Sequence, residues 1–305
     1  MIFVFKQCIK RKLIITSLAL LLLIITLTFP KATEDIENIT ITYQKKNEFP
    51  IFLVNEDDFV SRTTVVLKNE EILEEVKEIV LYLTEQSSKS AYLPVYFNPI
   101  LPSGTKLLSL DLQDGILKLN FNKKILDIKE KDSRKMMECL VYSLTELEDV
   151  KGLIVYVEDD LLRVFPNTNE KIPDVLTRDI GVNKLYNLNS FKNVSKTTVY
   201  YISQKEDITY FIPVTILENN EKDKIEIVIE HLKTNPYAKT NLISYLKAST
   251  ELSHYEILEQ TVYLSFSPLL YEGISKEDML ETVKFSIALS LKDTLNVQNV
   301  VFTEN

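Results

Sequence analysis

A pattern of predicted elements in the first half of this chain returns in the second half, and nothing else in the sequence limits the fold as strongly. An apolar-periodic helix is predicted at 75–83, a strand pair at 105–111 and 116–122, a long helix at 133–148 and a strand at 152–157. The same order is predicted at 224–232, 245–258, 261–267, 276–295 and 299–303. Three of the five matched starts lie 149, 145 and 147 residues apart, so only small loop insertions separate the copies. That period is the size of a domain. It implies tandem modules and excludes one large enzyme core.

The first copy shows the reasoning. Ile72, Leu73, Val76, Ile79, Val80 and Leu83 fall on one face of a 3.6-residue helix. Leu117, Leu119 and Phe121 alternate with Lys118, Asn120 and Asn122, a strand with one wet and one packed face. Asp114-Gly115 between the two strands favours a two-residue hairpin turn, with Gly115 left-handed. Met136, Met137, Leu140, Val141, Leu144 and Leu147 give the long helix its apolar stripe, and Ser133 is placed to cap it. Upstream, 49–54 and 62–67 read as strands around the turn at Asn55-Glu56-Asp57-Asp58. A matching hairpin is expected at 197–203 and 208–217. Residues 160–196, rich in Asn, Pro and Lys, link the copies, with a short strand suggested at 174–183.

Residues 13–29, LIITSLALLLLIITLTF, carry no charge. As a helix they span roughly 25 Å, near the lower limit for a bilayer core. Lys6, Lys10, Arg11 and Lys12 precede the run and Glu34, Asp35 and Glu37 follow it, which places the N-terminus inside and the rest outside the cell membrane. The stretch Thr28-Phe29-Pro30-Lys31-Ala32-Thr33 is a poor cleavage site, which would want small residues at −3 and −1. A lipoprotein cysteine would follow the run, but Cys8 precedes it. The reading is a single-pass, uncleaved anchor. The expected organisation is a cytoplasmic tail at 1–12, an anchor at 13–30, a stalk at 31–48, a first domain at 49–188, a linker at 189–196 and a second domain at 197–305.

Composition narrows the function. The chain's net charge is −9; without the +4 of its first twelve residues it is −13, which argues against nucleic acid and against an anionic membrane face. Five glycines, at 104, 115, 152, 181 and 273, are too dispersed for a phosphate-cradling loop. Cys8 and Cys139, on opposite sides of the expected membrane, provide no disulfide framework. Cys139 reads as a small buried apolar residue. His231 and His254 have no Cys or His at metal-ligand spacing. The carboxylates Glu158-Asp159-Asp160, Glu70-Glu71 and Asp57-Asp58 are the candidates for paired acid chemistry. Their positions at turns and at a helix start explain them without it. Tyr200-Tyr201 and Tyr210-Phe211 read as pleat-filling strand aromatics, with an exposed binding face as the other reading. No catalytic, cofactor-binding or metal residue is assigned.

The chain resembles the GerM domain family of sporulation and spore germination proteins. The resemblance rests on the helix ending near Leu83, LPSGT at 101–105, the hairpin LLSLDLQDGILKLNFN at 107–122, MMECLVYSLTELEDVKGLIVYVED at 136–159 and VLTRDIGVN at 175–183. The second copy follows the order of elements but has Lys247-Ala248-Ser249-Thr250 in place of LPSGT and no Asp-Gly turn. The resemblance implies an α+β fold: two tandem modules, each a mixed or antiparallel sheet with two helices on one face, similar to the ring-building modules of secretion systems. It implies a non-catalytic scaffold of the cell envelope, without cofactor, acting in sporulation or germination. Its partners would be envelope proteins such as a sporulation channel or ring complex. A peptidoglycan- or small-ligand-binding module is the alternative.

Overall fold

The computed structural model describes residues 48–206, 208–234, 242–267 and 276–303. The expected tail and anchor, and residues 31–47 of the expected stalk, lie outside these. Among the described residues no helix is long and apolar enough to cross a membrane.

The first copy opens with the antiparallel hairpin of β1 (Glu48–Asn55) and β2 (Val60–Val66). Helix α1 (Ile72–Leu83) starts where the Glu71 carboxylate accepts the Glu74 N–H, and it buries Val76, Ile79, Val80 and Leu83. After β3 (Phe97–Asn98), which pairs with β1, come β4 (Leu107–Gln113) and β5 (Ile116–Phe121). Asp114 and Gly115 between them both have positive φ, 53° and 81°, as the tight hairpin turn requires. Helix α2 (Glu130–Leu144) follows, then β6 (Gly152–Val157), parallel to β5, and β7 (Asp160–Leu161). The sheet order is β4-β5-β6-β7. Ser133 does not cap α2. The helix begins three residues earlier, with Glu130 and Asp132 in its first turn, and Ser133 is buried inside it. Carboxylates near the positive end of the helix dipole serve where a capping hydroxyl was expected.

The second copy repeats this plan. It consists of β9 (Val194–Lys205), β10 (Ile208–Asn219), α3 (Lys224–Leu232), β11 (Glu251–Leu258), β12 (Thr261–Ser267), α4 (Lys276–Leu295) and β13 (Asn299–Thr303). The sheet β11-β12-β13 is antiparallel then parallel, like β4-β5-β6. Where its letters depart, its geometry holds. Thr250 N donates to Lys247 O at 3.0 Å, as Thr105 N donates to Pro102 O at 3.0 Å. Glu259 turns the second hairpin with a φ of 53°, the value at Asp114. Both pairs of positions are 145 residues apart.

The opening hairpins do not belong to separate sheets. β2 and β10, the matched strands of the two copies, pair antiparallel at Arg62 and Phe211, giving one sheet ordered β3-β1-β2-β10, with β9 on the far side of β10. The next pair in that register would be Val60 and Pro213, and Pro213 has no N–H to give. The side chain of Asn183 fills the gap. Its Oδ1 accepts from Val60 N at 3.0 Å, and its Nδ2 donates to Val60 O and Pro213 O, each at 2.7 Å. Beyond it β8 (Leu185–Asn187) runs parallel to β10 and completes the sheet. Thus 160–196 is more than a connection. Its short strand lies at 185–187 rather than 174–183, where Leu176 makes only a single bridge to Leu153.

The outer edges are closed from the long helices. Ser143 on α2 accepts from Phe52 N on β1 at 2.8 Å, and Ser290 on α4 accepts from Tyr200 N on β9 at 2.8 Å. Ser143 and Ser290 are 147 residues apart, so the repeat extends to single hydrogen bonds. The buried side chains of both copies form one contiguous core.

Candidate functional site

The residues singled out by chemistry are dispersed. His231 pairs with Glu218, Nε2 to Oε1 3.1 Å, and His254 stands exposed on β11. Cys139 is fully buried, and burial pushes its thiol well above the ordinary range, so it is no nucleophile. Glu158 and Asp159 occupy a turn with φ of 50° and 70°. Asn120 donates to Asp159 at 2.7 Å, and Lys123 N donates to Glu158 at 3.2 Å. Glu71 caps α1, and Asp58 in its turn pairs with Lys135 at 2.5 Å. Tyr200, Tyr201, Tyr210 and Phe211 are all buried. The pleat-filling reading describes them, and they form no exposed platform.

What the structure does assemble is a charged junction where the copies meet. Arg178 opens a short 3-10 turn, Arg178–Ile180, in the connecting segment. Its Nε donates to Thr145 Oγ1 at 2.8 Å, and its Nη2 to the Tyr142 carbonyl at 3.1 Å and to the Glu146 carboxylate. Its Nη1 stands 3.7 Å from Asp293 Oδ1 on α4. The guanidinium also lies over the ring of Tyr142, 4.9 Å from its centroid. Glu146 and Asp293 are 147 residues apart and hold corresponding places in the two copies. One cation therefore serves two equivalent carboxylates.

Burial opposes the charge on Arg178, but Glu146 and Asp293 outweigh it and hold the guanidinium protonated. Burial lifts the Asp293 carboxyl, which is 3 % exposed; Arg178 and the Tyr200 hydroxyl, 3.0 Å away, pull it back. A second buried acid underlies the Asn183 stitch. Glu138 on α2 is 2 % exposed, and burial raises it to about 7; Asn183 N, 3.4 Å away, and Arg134, Lys184 and Lys135 partly offset this. These groups face one another rather than a cleft. The chemistry of the junction is adhesive: ion pairs and amide hydrogen bonds that fix one copy against the other.

Arg178 and Asn183 both fall in VLTRDIGVN, whose residues pointed only to a short strand and to the family resemblance. The usable signal was the repeat itself, since it makes Glu146 and Asp293 counterparts.

Comparison with known proteins agrees with this architecture. The family described as "Germane: Sporulation and spore germination" matches residues 50–162 and again 198–305. The spore germination protein GerM of Bacillus subtilis (strain 168) is 25% identical over 256 residues, 82% of this chain and 69% of GerM. The structure of the tandem GerMN domains of the Bacillus subtilis sporulation protein GerM superposes with a TM-score of 0.73 at 24% identity, covering 85% of this chain and 90% of that one. With two family matches in tandem, joined through one sheet, the chain belongs to the Germane family of sporulation and spore germination proteins.

Proposed function

We propose that the protein is a non-catalytic assembly factor of the cell envelope, acting in sporulation or germination and held to the membrane through residues 13–30. Family membership supports the process. The observation that carries the assembly role is the junction at Arg178, where corresponding carboxylates of the two copies close on one guanidinium. It ties the tandem modules to one another and so sets the spacing between their outer surfaces. Fixed spacing serves a part that positions partners. The polar groups buried at the junction are committed to that spacing rather than to proton transfer.

The test is crosslinking of a tagged full chain in intact cells, in growth and in sporulation. The expected result is recovery of defined envelope proteins in sporulating cells only. Recovery of wall fragments alone, in both phases, would replace the scaffold reading with a wall-binding one. Turnover of muropeptides by the purified chain would overturn the non-catalytic reading.

A further inference from the structure

The two small sheets match strand for strand, but only the first has its last strand covered. In the first copy the chain turns back after β6 and runs along its outer edge. Leu162 N donates to Val155 O at 2.9 Å, and Leu153 and Leu176 exchange both N–H···O bonds, each at 2.8 Å. On the inner side Gly152 N donates to Gly115 O at 3.3 Å, so the backbone groups of the next residue, Leu153, point outward. In the second copy Asn299 N donates to Gln260 O at 3.1 Å, the matching bond from β13. The N–H and C=O of Val300 therefore point outward as those of Leu153 do. β13 ends its sheet, and among the described residues no backbone group bonds to that edge.

The apolar side chains beside the edge show the same difference. Val150, Leu153 and Val155 are 4 %, 0 % and 3 % exposed. Their counterparts 147 residues on are Val297, Val300 and Phe302. Val300 is 8 % exposed, and the other two are only half-buried. Leu176, which closes the first edge, is 1 % exposed and belongs to the core. β13 itself, Asn299–Thr303, carries no charge, so what it offers is backbone and apolar surface.

We propose that the outer edge of β13 receives an extended segment of a partner protein, antiparallel, with a leucine-like residue opposite Val300. The first copy supplies the pattern, because Leu176 meets Leu153 in this way. One position differs. A Cβ on Gly152 would lie 2.8 Å from Val175 Cγ1, and Asn299, the counterpart of Gly152, carries such a Cβ. The occupant therefore has a small residue where the first copy has Val175. A second copy of this chain is a poorer donor, since its own leucine segment is held on its own β6. In strand addition of this kind main-chain bonds give affinity and alternate side chains give selectivity. The inference deepens the assembly role proposed above and rests on it for there being a partner; the open edge itself does not depend on that role.

The probe is a synthetic peptide of residues 172–180 carrying V175A, added to the full chain in detergent micelles. The readout is hydrogen exchange at the Val300 amide. Exchange should slow about tenfold once roughly nine-tenths of the chain is bound, with the Leu153 amide unchanged. The same peptide N-methylated at Leu176 lacks the N–H that would meet the Val300 carbonyl, and should give no slowing. No slowing with the first peptide at millimolar concentration, or equal slowing with both, would overturn the proposal. So would a Val300 amide already as slow as that of Leu153 in the free chain, because the edge would then be covered. Slowing that grows with the concentration of the chain alone would assign the edge to a second copy and overturn the partner reading. Each of these outcomes is separate from the crosslinking result that decides the assembly role.

Discussion

Single residues hold the copies together, and two of them give sharp expectations. Asn183 takes the place of a missing ladder pair, because Pro213 cannot donate. Asn183→Ala leaves the Val60 N–H and two carbonyls without their partner, and should cost about 1–3 kcal/mol in chemical denaturation. Glu138 makes stability depend on pH. Its pKa of about 7 in the folded chain lies above the ordinary 4.5, so the folded state holds its proton more tightly than the unfolded state. That contribution is complete below pH 4.5 and is lost as pH rises through 7. The loss should reach about 2–4 kcal/mol. Glu138→Gln should remove this pH dependence and raise the melting temperature at pH 8 but not at pH 4. A variant melting curve that still falls steeply between those values would place the titration elsewhere.

At the scale of elements, sequence patterns had most to say where structure is local. The strands at 152–157 and 261–267 and the helices at 224–232 and 276–295 carry their periodicity in the side chains, and they form with the bounds expected. The turn at Asp114-Gly115 was equally legible, since only a few residue pairs accept its backbone. Gly115, at a φ of 81°, should not tolerate a branched side chain; Gly115→Val is expected to lower stability by more than about 1 kcal/mol, read as a lower melting temperature. Pairing between elements distant in sequence was not legible. Nothing in the alternation of β2 names β10 as its neighbour, because an edge strand in another module presents the same backbone groups as any other. Arg178 looked like one more charged residue in a polar connection. Its role depends on two carboxylates, one 32 residues before it and one 115 after.

For the molecule as a whole, the continuous sheet and common core imply that the copies unfold together. Removing the cation should expose this coupling. Arg178→Met leaves Glu146 and Asp293 near each other without a counter-charge, and should cost about 2–4 kcal/mol, allowing for the partial exposure of the pair. It should also split one cooperative transition into two, seen as a difference between melting followed by near-ultraviolet and far-ultraviolet dichroism. A single transition in the variant would show that the sheet alone couples the copies. The pairing of β2 with β10 has a further consequence, in terms of supply. Two separate modules meeting through these strands would associate only as fast and as far as their abundance allowed. Written into one polypeptide, each strand meets its mate at a local concentration on the order of millimolar, however few molecules the cell makes. A component needed in small numbers can then arrive already paired.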